Sequence, residues 1–271
     1  MPEFDRSAPV TVSLHVQRGI ADVFAEERTT IQVEVKAEDG TDATDRFKIG
    51  LEGDTLFVHA PEGPAWQWRR TPKLHVTVRV PLDSSLAAKS AAADVRAMGR
   101  YATAHTNVAS GHAYLEWVSG DAHLKAASGD LTADRVGGSL RISTSSGELH
   151  VGDVTGDVTA DTASGNITIR KAEGSLEAST ASGDVEIGSV SRGRSRVRSA
   201  SGDVAVGVAA GTGVWLDLNT ASGKTSSDLS LGGRPTMTEQ QATLELRIRT
   251  ASGDIDVHRS VVETPAVSRR A

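Results

Sequence analysis

Residues 127–187 read ASGDLTADRVGGSLRISTSSGELHVGDVTGDVTADTASGNITIRKAEGSLEASTASGDVEI, and they belong to a longer stretch in which glycine recurs every nine residues. A fixed period of this kind indicates a stacked repeat architecture. The glycines at this spacing are Gly111, Gly120, Gly129, Gly138, Gly147, Gly156, Gly165, Gly174 and Gly183.

Apolar residues occupy the second and fourth positions after these glycines, as in Leu131 and Ala133 or Ile167 and Ile169. Such alternation predicts a strand with one buried face. A further small or apolar residue lies seven positions after the glycine, and its identity alternates between consecutive nonapeptides. One series is Val136, Val154, Ala172 and Val190, and the other is Ala127, Ser145, Ala163 and Ala181. We therefore predict a repeat of 18 residues with two strands and two different corners, and we expect about four or five buried side chains in each repeat.

The narrow strands need stacked neighbours, because an isolated pair of strands is marginal in water. If each 18-residue rung lies about 4.8 Å from the previous one, the strands pair in parallel and the inward residues form columns. We predict an all-β fold, a single-stranded parallel β-solenoid (β-helix) with about 18 residues per rung and an irregular β N-terminal cap. Further corner glycines that tolerate a tight turn follow at Gly202, Gly223 and Gly253.

The chain divides into three predicted parts. Residues 1–84 contain irregular alternating strands and are expected to form the N-terminal cap, continuous with the stack. Residues 85–260 form the solenoid, in which the glycine spacing loosens after Gly183 and a long corner loop is expected at 231–241. Leu244, Leu246 and Ile248, followed by Ile255 and Val257, are expected to close the stack, and residues 261–271 to form a disordered tail.

Composition excludes several classes of protein. The 271 residues include no cysteine, so disulfides and thiol chemistry are absent. The N-terminal MPEFDRSAPV lacks the basic and apolar segments of a signal peptide, and no apolar run is long enough for a membrane span. We predict a cytoplasmic protein. Its net charge of −6 argues against non-specific nucleic-acid binding.

The chain resembles the putative adhesin family, a bacterial β-strand-repeat domain of unknown function, and especially its actinobacterial members without a secretion signal. The features that carry this resemblance are MPEFDRSAPVTVSLHV at the start, VRVPLDSSL at 78–86, the SGD(V/L) repeats, VWLDLNTASGKTSSDL at 214–229 and RTASGDIDVHRS at 249–260. The resemblance covers nearly the whole chain. It implies a β-solenoid without established catalytic residues.

Two sets of residues are candidates for contact with a partner. Arg194, Arg196 and Arg198 alternate with other residues after Arg192, so they are predicted to project from one face and to hold an acidic polymer or protein. The opposing interpretation is ladder pairing with Glu177, which the register places beside Arg196. The second set, Trp66, Trp68, Arg69 and Arg70, would suit stacking on a sugar or protein. The indoles would alternatively cover the open end of the solenoid.

An acidic column is predicted one residue after the Ala-Ser-Gly-type corner glycines. Stacking would place its carboxylates about 5 Å apart, as in a cation ladder, although aspartate is also favoured in ordinary turns. Lys224 interrupts the column in sequence order. Its other members are Asp130, Glu148, Asn166, Asp184, Asp203 and Asp254.

Other reactive side chains are weaker candidates. His105 and His123 lie 18 residues apart with Arg141 next in the column, which is a poor zinc site because a third ligand is missing. Asp130 and Asp184 could be carboxylates of a sugar-cleaving site, but aspartate at repeated corners favours a structural role. We predict no catalytic, cofactor or metal residues.

These observations favour a non-enzymatic scaffold or binding module that presents repeat faces to a protein or polysaccharide partner. The alternatives are a self-assembling polymer of cytoskeletal type and a carbohydrate-active enzyme on a β-helix. Irregular segments at both ends favour a monomer or weak self-association over extended polymers.

Overall fold

The computed structural model describes residues 2–61, 73–229 and 242–260. Within these ranges the chain is almost entirely β, and its helical structure is a single 3-10 turn at Thr44–Arg46. The first strands are β1 (Glu3–Asp5), β2 (Thr11–Glu26), β3 (Thr30–Ala37), β4 (Lys48–Glu52), β5 (Thr55–His59), β6 (Leu74–Pro81) and β7 (Ser84–Ser110). The repeats then form β8 (Ala113–Val118), β9 (Ala122–Ser128), β10 (Leu131–Val136), β11 (Leu140–Ser146), β12 (Leu149–Val154), β13 (Val158–Ser164), β14 (Ile167–Ala172), β15 (Leu176–Ser182) and β16 (Val185–Val190). The last strands are β17 (Gly193–Ser201), β18 (Val204–Val208), β19 (Val214–Ser222), β20 (Thr225–Ser227), β21 (Leu244–Ser252) and β22 (Ile255–Arg259).

The repeats form two parallel ladders that enclose the core. Ladder A contains β8, β10, β12, β14, β16, β18, β22 and β20, and ladder B contains β9, β11, β13, β15, β17, β21 and β19, with different parts of β7 leading into each. In ladder A, Leu131 lies opposite Leu149, Leu149 opposite Ile167, and Ile167 opposite Val185. The predicted 18-residue β-solenoid is therefore confirmed.

Inward-facing side chains form buried columns along the stack. The series at Val136, Val154, Ala172 and Val190 is buried as expected, but the series at Ala127, Ser145, Ala163 and Ala181 is exposed. The expectation for the second series was wrong because period-two alternation continues along ladder B and buries the preceding residue. Thr144, Thr162 and Thr180 fill that position, and each hydroxyl donates to the carbonyl of the corner glycine fifteen residues earlier, at 3.3–3.4 Å.

The two corners need glycine for different reasons. At the first, Gly165 has φ of 147°, and a Cβ there would lie 1.9 Å from the Gly147 carbonyl oxygen. At the second, Gly174 has no such backbone angle, but a Cβ would lie 2.5 Å from the carbonyl oxygen of Gly156. Close stacking alone thus excludes a side chain at the second corner, whereas the first also requires left-handed backbone.

The last two rungs do not stack in sequence order. β17 and β19 both pair with β21, so β21 lies between them. Likewise β22 lies between β18 and β20. The expectation that Leu244, Leu246 and Ile248 close the stack was therefore wrong, because these residues are fully buried inside it. The rung 214–227 lies at the end instead.

The N-terminal region also departs from sequence order. β2 pairs in parallel with β7, with Thr11 opposite Ser85 and Ala21 opposite Val95, so it adds a rung to the solenoid. β5 and β6 pair in parallel with the other side of β2. Outside them, β4 runs antiparallel to β5, β3 antiparallel to β6, and β1 antiparallel to β3. The parallel ladders thus end in antiparallel strands at this side.

Candidate functional site

The strongest candidate is a cluster of arginines on the outer surface of ladder B, here called the arginine patch. It consists of Arg194, Arg196 and Arg198 on β17 with Arg247 and Arg249 on β21. The register places Arg196 opposite Arg247 and Arg198 opposite Arg249. Like charges directly opposite one another destabilise a sheet, so the register brings together side chains that repel one another.

Strand alternation positions the patch. On β17, Ser195, Val197 and Ser199 are buried in the core, and the arginines between them therefore project outward. Parallel strands lie about 4.8 Å apart, and alternate residues on one strand lie about 6.6 Å apart. Arg196, Arg198, Arg247 and Arg249 thus stand at the corners of a small, nearly rectangular array.

Glu245 lies on β21, two residues before Arg247, and contacts two arginines of the patch. Its side chain is only 10 % exposed, accepts a hydrogen bond from Arg194 at 2.7 Å and forms an ion pair with Arg247 at 2.6 Å. The hydrogen bond from Arg194, with a smaller effect of Arg247, lowers the pKa of Glu245 against the opposing effect of burial. The carboxylate therefore stays charged and holds two guanidinium groups in place.

Trp215 extends the patch towards the end of the stack. It lies opposite Glu245 on the neighbouring strand β19. The guanidinium carbon of Arg247 lies 5.1 Å from the centre of the indole ring, which is within cation–π range. Arg247 is therefore held by the indole as well as by Glu245.

Acidic neighbours balance the arginines only in part. Arg198 contacts Glu177 at 3.4 Å, and Arg249 is 3.9 Å from Asp217. Arg196 lies opposite Glu177 as expected, but it forms no ion pair with any residue that the structure describes. With Glu245, three carboxylates face five arginines, which leaves a positive surface on a chain whose net charge is −6.

Two of the five arginines of this patch were missed by inspection of the sequence. Arg194, Arg196 and Arg198 were visible as a stripe, whereas Arg247 and Arg249 lie 51 residues further along and join them only because β21 inserts beside β17. The alternation Glu245, Arg247, Arg249 was the available signal. The other predicted partner-binding residues, Trp66, Trp68, Arg69 and Arg70, lie outside the described residues, as do the predicted loop at 231–241 and the tail at 261–271.

The acidic column is a hydrogen-bonded ladder. The Asp184 carboxylate accepts the backbone N–H of Asp203 at 2.8 Å, Asp203 accepts that of Asp254 at 2.8 Å, and Asp254 accepts that of Lys224 at 2.7 Å. Lys224 was expected to interrupt this column, but the rung order places it at the end. Across the described ranges, no group of three His, Asp or Glu side chains has the geometry to hold a metal ion.

The predicted histidine pair forms on ladder B. The rings of His105 and His123 are T-shaped with centroids 4.7 Å apart, and Arg141 follows in the column. Burial, with smaller effects of His105 and Arg141, lowers the pKa of His123. His123 is therefore biased towards its neutral form at neutral pH.

A groove of about 490 Å³ on ladder A is a second candidate surface. Its aromatic residue, Trp117, lies between Arg100 and Arg135, each with its guanidinium carbon 5.3 Å from the ring centre. Arg100 is in turn bound by Asp83 through two contacts of 2.6 Å. Because Arg100 and Arg135 lie opposite Trp117 on its two neighbouring strands, the indole is already engaged by two guanidinium groups.

The pattern of corners, the continuous parallel ladders and the antiparallel N-terminal end together describe a distinctive domain. A family model described as Toastrack DUF4097 matches residues 12–258. The chain belongs to this family. The Toastrack domain is one of unknown function, and the resemblance noted in the sequence is confirmed at the level of the family.

Three solved structures are similar to this Toastrack chain. The first is a putative adhesin from Bacteroides fragilis, with 11 % identity, coverage of 94 % of this chain and 95 % of that one, and a TM-score of 0.44. A putative lipid binding protein from Parabacteroides distasonis shares 14 % identity, with coverage of 94 % and 95 % and a TM-score of 0.48. A putative adhesin from Parabacteroides merdae shares 12 % identity, with coverage of 94 % of both chains and a TM-score of 0.35. A comparison with curated proteins finds no match.

Over the described residues, no helix of this Toastrack domain has the length and apolarity needed to span a membrane.

Proposed function

We propose that the protein is a non-enzymatic binding scaffold whose arginine patch holds an acidic partner. The observation that carries this proposal is the register of Arg196 with Arg247 and of Arg198 with Arg249. A folded sheet loses stability from such like-charge pairs, and a ligand carrying carboxylate, sulfate or phosphate groups would offset that loss. Arginine suits these groups because its planar fork binds them through paired hydrogen bonds.

Preorganisation supports the same function. Glu245 and Trp215 hold Arg247, and Glu245 also holds Arg194. Side chains fixed before binding lose less conformational entropy when a ligand arrives. The patch therefore has two anchored arginines, surrounded by the more exposed Arg198 and Arg249.

A role in sugar cleavage has less support. Asp130 and Asp184, the carboxylates considered for it, accept the backbone N–H groups of Glu148 and Asp203 at 2.9 and 2.8 Å. These bonds give both carboxylates a structural task at the corner. Self-assembly by end-to-end stacking is also disfavoured, because the N-terminal end finishes in antiparallel strands that do not continue a parallel ladder.

The proposal is tested by comparing two triple variants with equal charge change. Arg196, Arg198 and Arg249 are replaced by glutamine in the patch variant, and Arg135, Arg170 and Lys171 on ladder A are replaced by glutamine in the control. Binding of heparin, polygalacturonate and polyglutamate is measured by biolayer interferometry at several salt concentrations. We expect the patch variant to bind at least one polyanion about tenfold more weakly than wild type, with the control close to wild type. Equal binding by wild type and the patch variant for every probe would overturn the proposal.

A further inference from the structure

We infer that the partner of the arginine patch is an acidic polysaccharide, whose anionic groups pair with the arginines while a sugar ring packs beside Trp215. This inference rests on the proposed function and adds the class of ligand to it. Carboxylated and sulfated sugars share the chemistry required, since both present anions that a guanidinium group binds in a bidentate manner.

The position of the patch within the sheet disfavours an acidic peptide. A peptide that binds a β-sheet gains most of its main-chain hydrogen bonds by adding a strand to an exposed edge. β17 and β21 are interior strands, because β17 pairs with β15 and β21, and β21 pairs with β17 and β19. Their backbone groups are already used, so a peptide lying across these two strands would have only side-chain contacts.

A polysaccharide carries what this surface can recognise. Its anions can lie over the array formed by Arg196, Arg198 and Arg249, and its hydroxyl groups can hydrogen-bond to side-chain amides. Asn219 supplies such an amide, because it is exposed and lies opposite Arg249 on β19. A linear polymer can therefore contact β17, β21 and β19 in succession along the stack axis.

Trp215 adds an aromatic contact on the same surface. The indole is half-buried and lies in the same column as Arg194, with Glu245 between them. Aromatic rings present apolar faces that complement the C–H faces of sugar rings while their N–H group remains available for a hydrogen bond. The combination of one indole with several arginines distinguishes this site from a purely basic patch, which would serve any polyanion.

The experiment uses the full chain and five probes: polygalacturonate for carboxylated sugar, heparin for sulfated sugar, polyglutamate for an acidic peptide, neutral dextran, and phosphatidylcholine vesicles that contain phosphatidylserine. Trp215→Ala and Trp215→Phe are compared with wild type, and their melting temperatures are measured so that loss of binding is not confused with unfolding. We expect polygalacturonate or heparin to bind tighter than polyglutamate of similar charge, and dextran not to bind. Trp215→Ala should weaken polysaccharide binding about three- to tenfold relative to wild type. Trp215→Phe should keep most of the wild-type affinity.

The outcomes separate the inference from the function on which it rests. If polyglutamate binds as tightly as either polysaccharide and Trp215→Ala has no effect, the inference of a polysaccharide ligand is overturned. The proposed function would then remain, with an acidic protein as the partner. Binding only to vesicles containing anionic phospholipid would overturn it in favour of a membrane surface. If no polyanion and no vesicle binds, the proposed function fails together with this inference.

Discussion

Single residues of the recurring corner sequence Thr-Ala-Ser-Gly-Asp have separate tasks. Thr180 is buried and donates its hydroxyl to the carbonyl of Gly165 at 3.3 Å. Gly183 has φ of 146°, and Asp184 accepts the backbone N–H of Asp203 at 2.8 Å. Threonine and aspartate thus satisfy backbone groups of neighbouring rungs that the tight corner leaves outside the strand ladders.

Replacement of Asp184 tests whether the acidic column is structural. Asp184→Ala leaves the Asp203 amide without its acceptor and should lower the free energy of unfolding by about 1–2 kcal/mol. Asp184→Asn keeps an acceptor, as Asn166 does naturally for Asp184, and should be close to neutral. Urea denaturation measures both variants. A calcium-dependent rise in melting temperature that Asp184→Asn abolishes would instead support the cation ladder.

Protonation of Glu245 should weaken its contacts with Arg194 and Arg247. Its pKa is lowered in the folded protein, mainly by the hydrogen bond from Arg194. A lowered pKa stabilises the folded state at neutral pH, and that stabilisation is lost as the pH falls through the folded-state value. The difference in unfolding free energy between wild type and Glu245→Gln should therefore be largest near neutral pH and shrink below about pH 4.

Denaturation at several pH values measures this effect, with Glu186→Gln, at an exposed position on ladder A, as the control. For Glu186→Gln, the difference in unfolding free energy from wild type should not shrink in this way as the pH falls. A difference between wild type and Glu245→Gln that is independent of pH would contradict a charged Glu245 in the folded state.

At the scale of whole strands, the inserted rung is the feature that shapes the candidate site. β21 lies between β17 and β19, and β22 lies between β18 and β20, although β19 and β20 come earlier in the sequence. The earlier rung, formed by β19 and β20, therefore occupies the end of the stack. The residues at the inward-facing positions explain which of the two rungs lies inside the stack. Ile255 and Val257 are fully buried, whereas Thr225 and Ser227 occupy the corresponding positions in β20 and are exposed. A polar rung costs less at the end of a stack, where one side is open to water.

Engineered cysteine pairs test the rung order directly, because the chain has no native cysteine. Ser252 lies opposite Ser201 on one side and Ser222 on the other. Ser201→Cys with Ser252→Cys should form a disulfide, since neighbouring strands are about 4.8 Å apart. Ser201→Cys with Ser222→Cys should not, since these positions are about 9.6 Å apart. The reverse result, read from thiol titration and mass spectrometry, would mean that the rungs stack in sequence order.

At the scale of the whole molecule, stability is expected to vary along the stack. In a solenoid each rung contacts only its neighbours, so a central rung is supported on two sides and an end rung on one. Leu149 is fully buried in the central part. Leu218 lies in β19 and is only partly buried.

Two leucine-to-alanine variants measure this gradient. Leu149→Ala should lower the free energy of unfolding by about 3 kcal/mol or more, because the surrounding columns cannot collapse into the cavity. Leu218→Ala should cost about 1 kcal/mol, because less apolar surface is lost from the core. Amide hydrogen exchange should likewise be slower in β12 than in β19. Equal costs for the two variants would contradict an open end at rung 214–227.

Much of this architecture could be predicted from local pattern. The nine-residue glycine spacing and the alternation around it predict the 18-residue rung, because steric demand at a corner and burial of alternate side chains act within a few residues. The same reasoning failed at Ala163, where the count from the glycine suggested an inward residue but the alternation in ladder B buries Thr162 instead.

The sequence by itself therefore determined the repeat length, the parallel pairing and the outward direction of Arg194, Arg196 and Arg198. Only the tertiary structure decided which rung lies beside β17, and hence that Arg247 and Arg249 complete the patch. The reason is that the rungs containing Gly223 and Gly253 offer the same Thr-Ala-Ser-Gly corner and the same backbone hydrogen bonds. Their order depends on the difference in apolar burial between them, which is a property of the whole stack.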